Sequence, residues 1–137
     1  MGLILDTDFL IRAERQSLSL SAAFQQLKQY GADSEIGISS ITVAELTHGI
    51  YRAKSEQQMQ QRAYYVDQIC SEIVIHPLTE SIARLLGRIE GEQAAQGIAI
   101  AFQDLAIGAT ALSLNHAVVT HNGRHFNLIP GLTVQIP

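Results

Sequence analysis

The chain has 137 residues, of which 47% are apolar and only 6% aromatic, so aliphatic side chains and alanines must fill its core. This length predicts one domain over residues 1–137, large enough to bury a core of its own. The formal charge of −4 and the pI of about 5.6 argue against a general nucleic-acid-binding surface, but they leave room for a local basic groove.

Cysteine content and hydropathy indicate the compartment. The single cysteine, Cys70, allows no intramolecular disulfide and no cysteine-rich zinc site. No apolar run approaches the roughly 20 residues that span a bilayer. The first eight residues carry two acids and no Lys or Arg, unlike a secretory signal peptide. We therefore expect a cytoplasmic protein with no membrane partner.

Short apolar runs alternate with longer segments of helical periodicity. The predicted strands cover residues 3–6, 36–39, 73–75, 117–120 and 133–136. The predicted helices cover residues 7–15, 18–30, 42–53, 55–70, 80–95 and 104–115. This alternation is typical of an α/β domain whose mostly parallel sheet is covered on both faces by helices. Ligands gather at the carboxyl ends of such strands, where we expect Asp6 and the segment Thr120–Asn122.

Three acids lie at the end of a predicted strand or near the start of a predicted helix, and each has a local explanation. Asp6 or its neighbour Asp8 suits a helix N-cap. Glu45 completes the capping-box pattern T-x-x-E that begins at Thr42, and Asp104 directly precedes an apolar helix. If Asp6, Glu45 and Asp104 converge, however, a cation must offset their repulsion, and carboxylate oxygens suit Mg²⁺ or Mn²⁺ rather than zinc.

The stretch Asp6-Thr7-Asp8 after an apolar run also resembles the haloacid-dehalogenase-type phosphatases. In that family the first Asp attacks phosphorus, the second is the acid/base, and a late acidic pair holds Mg²⁺ after a further strand. This chain has no Asp or Glu after Asp104. The sequence therefore disfavours the phosphatase hypothesis.

Four ordered blocks form a pattern that extends over nearly the whole chain. They are the opening run Leu3–Asp8, the S-x-x-T-x-x-E-L segment Ser39–Leu46, the small-residue helix Asp104–Ala111 after Gly97–Ile100, and the ending Val119–Phe126 with Ile129–Leu132. In this order and at these separations the blocks resemble the PIN-domain ribonucleases, in particular the VapC-type toxins of toxin–antitoxin pairs.

This resemblance implies a three-layer α/β/α fold and an endoribonuclease that cuts single-stranded or looped RNA, with tRNA among the candidate targets and Mg²⁺ or Mn²⁺ as cofactor. It implies a catalytic metal site built from Asp6, Glu45 and Asp104, with supporting positions at Thr7, Asp8 and Asn122. Many relatives carry a fourth acid near Asn122 or His125. This chain has none there, so the number of bound ions is open.

An acidic site that acts on a polyanion needs cations nearby. Arg124 and His121 lie beside the expected site, with His125 as an alternative, and Arg12 follows Asp8 by one helical turn. We therefore regard Arg12, His121 and Arg124 as candidate substrate-binding residues. For each arginine, a solvated or salt-bridged surface position is the commoner situation.

The resemblance also implies partners, namely an inhibitory VapB-type antitoxin and a second copy of the chain in a homodimer. Apolar stripes on the predicted helices 18–30 and 55–70 offer a groove for the antitoxin, or else belong to the core. Two other functions stay open at this point. One is a housekeeping PIN nuclease in RNA processing, and the other is a PIN-fold binding module without catalysis.

Overall fold

A central sheet of five strands organises the chain in the computed structural model, which describes residues 1–31 and 34–137. The strands are β1 (Leu3–Leu5), β2 (Ile36–Ser39), β3 (Val74–His76), β4 (Ala117–Val119) and β5 (Val134–Gln135). They lie in the order β3-β2-β1-β4-β5, and each neighbouring pair is parallel. The predicted mostly parallel sheet is therefore confirmed.

Helices connect the strands. They are α1 (Thr7–Arg15), α2 (Leu20–Leu27), α3 (Ser40–Tyr51), α4 (Glu56–Glu72), α5 (Glu80–Ala94), α6 (Phe102–Leu114) and the short α7 (Gly123–Phe126). A 3-10 turn at Lys28–Tyr30 extends α2 up to Gly31, whose φ of 129° suits only glycine well. Within the described ranges, no helix combines the length and apolarity needed to cross a membrane.

Several helix boundaries differ from the sequence prediction. Helix α2 begins at Leu20 because Ser19 is its N-cap and accepts a hydrogen bond from the Ala22 N–H. Helix α6 begins two residues before Asp104, with Ala101 at its N-cap. Helix α7 was not predicted, since four residues are too few to show helical periodicity.

Each face of the sheet carries its own hydrophobic core, which makes the molecule three layers thick. Strand β1 contributes to both cores, with Leu3 and Leu5 on one face and Ile4 on the other. The first core packs against helices α1–α4, and the second packs against α5–α7. A central strand buried on both faces explains the unbroken apolar run at residues 3–5.

The strand order determines where a site can form. The chain passes from β1 to β2 and β3 on one side, and then crosses to β4 and β5 on the other side of β1. The carboxyl ends of β1 and β4 therefore flank the point where the strand order reverses, and ligands bind at this point in open α/β sheets. Asp6 directly follows β1, and Thr120 directly follows β4.

Candidate active site

Asp6 is a buried acid at the carboxyl end of β1, with 7% of its surface exposed. It occupies the N-cap position of α1, but its carboxylate makes no capping hydrogen bond. Instead the Thr120 hydroxyl donates to Asp6 Oδ2 at 2.7 Å. The capping interpretation is therefore wrong for this side chain, which is held in place from the neighbouring strand.

Glu45 lies inside α3 and not at its start. Ser39 is the N-cap of this helix and accepts a hydrogen bond from the Ile41 N–H. Thr42 and Glu45 therefore form no capping box, and that interpretation is wrong. The Thr7 hydroxyl donates to Glu45 Oε1 at 2.6 Å and lies 3.0 Å from Thr42 Oγ1. This contact ties the start of α1 to α3.

Asp104 lies in the first turn of α6, behind the N-cap residue Ala101, so it is not a cap either. Its Oδ2 atom is 3.1 Å from Nδ1 of His125 on α7. The same ring nitrogen is 3.1 Å from the Asn122 side-chain Nδ2. The short helix α7 thus brings Asn122 and His125 to the third acid.

The electrostatics indicate that the three acids share one region. Burial raises the pKa of Asp6 to about 6, and the charges of Asp104, Asp8 and Glu45 raise it further while the Thr120 hydrogen bond opposes the shift. Burial is also the main cause of a raised Glu45 pKa. The Thr7 hydrogen bond and Arg52 oppose that second shift, and the charge of Asp104 adds to it.

The chemistry of this group fits a divalent cation. Its members are carboxylate oxygens, which hard divalent ions prefer, and their mutual repulsion is the kind that a cation relieves. As placed within residues 1–31 and 34–137, no three His, Cys, Asp or Glu side chains lie close enough together to hold a metal ion. Binding therefore requires the carboxylates of Asp6, Glu45 and Asp104 to draw closer together.

Asp8 has a different environment from Asp6. It lies within α1, and its Oδ2 is 2.9 Å from Arg12 Nε in an exposed ion pair one helical turn along. The capping interpretation is therefore wrong for Asp8 as well. Its structural role is to hold Arg12 beside the acidic region.

The remaining predicted residues surround the acids. The His121 ring stacks on Phe9, with ring centroids 6.0 Å apart and planes 11° apart. Burial and the nearby Arg12 lower the pKa of His121, with Asp8 opposing, so the ring is neutral near pH 7. Arg124 is exposed on α7, next to Asn122.

Thr120 is a residue of the site to which the sequence analysis gave no role. It is fully buried, donates to Asp6, and accepts a hydrogen bond from the Asn122 N–H at 2.8 Å. One hydroxyl thereby links β1, β4 and the start of α7. The available signal was its position, directly after a strand that neighbours β1.

A groove of about 800 Å³ opens beside Glu45. Residues of α1, α3 and α4 line it, together with the connection Ser17–Ser19. The predicted contribution of helix 18–30 is therefore largely wrong, because the apolar stripe of α2 is buried in the core at Leu20, Ala23 and Leu27. The lining includes basic groups on three sides, at Arg15, Arg52 and Arg62.

Comparison with known proteins gives consistent matches over nearly the whole chain. The PIN domain family model matches residues 3–132. The ribonuclease VapC of Rickettsia bellii (strain RML369-C) is 31% identical over 134 residues, which cover 98% of this chain and 95% of that protein. The VapBC-1 structure from nontypeable Haemophilus influenzae has a TM-score of 0.83 at 26% identity and covers 99% of this chain and 98% of that one. VapBC2 from Rickettsia felis, solved with a DNA fragment from its promoter, has a TM-score of 0.82 at 26% identity and the same coverage.

Proposed function

Because this chain belongs to the PIN domain family, we propose that it is a metal-dependent endoribonuclease and the toxin of a toxin–antitoxin pair. Its substrate is single-stranded or looped RNA, with tRNA as the first candidate, and it works in the cytoplasm. Residues 1–137 act as one PIN-like nuclease domain. Relatives named ribonuclease VapC and neighbours solved as VapBC assemblies support this function.

One observation carries the proposal for the site. Asp6, Glu45 and Asp104 come from three separate elements, β1, α3 and α6, and act on one another electrostatically at the carboxyl edge of the sheet. Local structure alone does not call for this arrangement, because none of the three caps a helix through its side chain. Buried or half-buried acids that repel one another mark a functional site more often than a structural one.

The proposed roles of the residues follow from these contacts. Asp6, Glu45 and Asp104 hold Mg²⁺ or Mn²⁺. Such an ion, when bound, activates water and stabilises negative charge on the scissile phosphate. Thr120 and Thr7 fix the Asp6 and Glu45 carboxylates, and Asn122 extends the Thr120 contact. A ligand held by a second group keeps its orientation when the ion arrives.

Substrate binding is assigned to Arg12, His121 and Arg124. Arg12 is exposed and is held beside the acids by Asp8, so its free guanidinium N–H groups can contact a phosphate. His121 presents a neutral ring stacked on Phe9, suited to a hydrogen bond or a nucleobase edge rather than to charge pairing. Arg124 faces solvent on α7 beside Asn122.

The groove next to Glu45 is assigned to a VapB-type antitoxin. Because Glu45 forms part of the groove wall, a peptide segment lying there reaches the catalytic acids and excludes RNA from them. The functional unit of the toxin is a homodimer. The described part of the chain offers no helix for membrane insertion.

The central test is cleavage of RNA by the purified chain. We expect single-stranded and tRNA substrates to be cut with Mg²⁺ or Mn²⁺ and left intact with a chelator. Glu45→Gln should reduce the cleavage rate by about 10²-fold or more, because one charged ligand of the site becomes neutral.

The control for Glu45→Gln is Glu80→Gln, which alters an exposed glutamate paired with Arg84 on α5, away from the site. It should cleave at the parental rate. A chain that binds RNA but never cleaves it would support the binding-module alternative. Cleavage that no co-expressed antitoxin inhibits would support the housekeeping nuclease.

Thr120→Val tests the residue that links β1 to β4. Valine keeps the volume but removes the hydroxyl that donates to the buried Asp6. We expect RNA cleavage to slow by about 10- to 100-fold, the usual cost of losing a group that orients a metal ligand. Thr110→Val is the matched control, because Thr110 is equally buried but bonds to the Ala106 carbonyl inside α6. Equal losses in the two variants would contradict the proposed role.

A further inference from the structure

Each acid of the proposed site is held by a side chain from another element. Thr120 donates to Asp6 and Thr7 donates to Glu45, whereas His125 contacts Asp104. A threonine hydroxyl beside a carboxylate acts mainly as a positioning donor. Imidazole differs from it, because it is among the commonest metal ligands in proteins.

The contacts of His125 conflict in the absence of a cation. Its Nδ1 atom is 3.1 Å from the Asp104 carboxylate oxygen, which can only accept, and 3.1 Å from the Asn122 amide nitrogen, which can only donate. One ring nitrogen has either a proton or a lone pair, so it cannot satisfy both neighbours. A cation bound by Nδ1 and Asp104 Oδ2 removes this conflict, because the lone pair and the oxygen then face the same positive charge.

The distance between these two atoms suits such an ion. Adjacent ligands of an octahedral ion with bonds of about 2.1 Å are about 3 Å apart, close to the 3.1 Å between Nδ1 and Asp104 Oδ2. The imidazole is half exposed, so no packing constraint prevents small adjustments. The pairing of Asp104 with His125 already places two ligand atoms side by side.

The charge pattern of the chain supports a neutral ligand at this place. After Asp104 the sequence contains no Asp or Glu, so the α7 side of the site adds no carboxylate. The side chains with ligand atoms that α7 and its N-cap bring to Asp104 are those of His125 and Asn122. Imidazole adds a ligand without adding negative charge to three acids that already repel one another.

We propose that His125 is a fourth ligand of the divalent ion, binding it through Nδ1 beside Asp104 Oδ2. This inference rests on the proposed function, since it assumes the site formed by the three acids. A nitrogen ligand favours later first-row ions over Mg²⁺, which prefers oxygen. His125 therefore makes the site selective for Mn²⁺ over Mg²⁺.

Electron paramagnetic resonance of Mn²⁺ bound to the full chain tests this directly. We expect electron spin-echo modulation from a directly coordinated imidazole nitrogen in the parent protein. The signal should vanish in His125→Gln and persist in His121→Gln, which alters the other histidine near the acids, and in His48→Gln, which alters an exposed histidine on α3. Far-UV circular dichroism of each variant reports whether it is folded.

Metal affinity provides a second readout that does not depend on cleavage. In calorimetric titrations, His125→Asp should still bind an ion, but its preference for Mn²⁺ over Mg²⁺ should fall about tenfold, because oxygen replaces nitrogen. A folded His125→Gln that retains the nitrogen signal overturns the assignment. So does an unchanged Mn²⁺ to Mg²⁺ preference in His125→Asp.

The outcomes also separate this inference from the proposed function. Stoichiometric Mn²⁺ binding without nitrogen coupling in the parent leaves the three-acid site intact and rejects His125 as a ligand, which reduces it to a residue that positions Asp104. Absence of any Mn²⁺ binding, with RNA cleavage unaffected by a chelator, rejects the metal site and His125 together.

Discussion

Asp6→Asn is expected to abolish RNA cleavage, with a loss of about 10³-fold or more. The side chain lies at the carboxyl end of the central strand, is 7% exposed, and makes no capping bond that could explain its burial. A metal ion contributes several kcal/mol of transition-state stabilisation in such chemistry, and about 1.4 kcal/mol corresponds to a factor of ten. The measurement is the single-turnover cleavage rate at saturating Mn²⁺.

Asp8→Asn is the matched comparison, because it makes the same chemical change two residues along the chain. Asp8 is exposed and paired with Arg12, so its loss should free that arginine and slow cleavage only a few-fold, in keeping with a surface ion pair. The ratio between the two variants carries the argument. If both lose activity equally, Asp6 is not the principal acid of the opening strand.

Most of the fold could be predicted because β1, β2 and β4 are short apolar runs between amphipathic helices. Hydrophobic periodicity reports burial, and a parallel sheet covered on both faces makes its central strands uniformly apolar. The same reasoning could not find α7. Its position is set by Phe126, which is fully buried in the second core, and by the Thr120 hydroxyl that holds the preceding Asn122. Both contacts are long-range.

The site illustrates a different limit of sequence reasoning. Local rules assigned Glu45 to a capping box and Asp104 to an N-cap, but the helices begin earlier, at Ser40 and Phe102. Helix boundaries are the least certain part of any pattern analysis. The ordered blocks of the resemblance placed both acids correctly in sequence. The contacts that hold them, from Thr7 and His125, depend on tertiary packing and had no sequence signal.

The largest expected effect on stability also concerns Asp6, and it runs opposite to the effect on activity. In the metal-free protein at pH 7.5, Asp6→Asn should unfold at a higher denaturant concentration than the parent. Burial and the neighbouring acids raise the pKa of Asp6 to about 6, about two units above its ordinary value. At about 1.4 kcal/mol per unit, ionised Asp6 lowers the free energy of unfolding by up to about 3 kcal/mol.

The pH window of this effect follows from the sign of the shift. Because the folded-state pKa is raised, the folded protein binds the proton more tightly than the unfolded chain does. The destabilisation is therefore absent below about pH 4, grows as the pH rises, and is complete above about pH 6. Asp6→Asn should match the parent at pH 4 and exceed it at pH 7.5, whereas Asp67→Asn, an exposed change on α4, should follow the parent throughout.

A divalent ion should reverse the order of the two proteins at neutral pH. At 100 times its dissociation constant, a ligand that binds only the folded state adds about 2.7 kcal/mol to the free energy of unfolding. The parent should gain most of this amount with Mn²⁺ at pH 7.5, and Asp6→Asn should gain little, because it has lost a ligand. Urea unfolding with and without Mn²⁺, at pH 4 and pH 7.5, measures all four cases. Equal Mn²⁺ stabilisation of both proteins would show that the buried charge of Asp6 serves no metal, and its cost to the fold would then need another explanation.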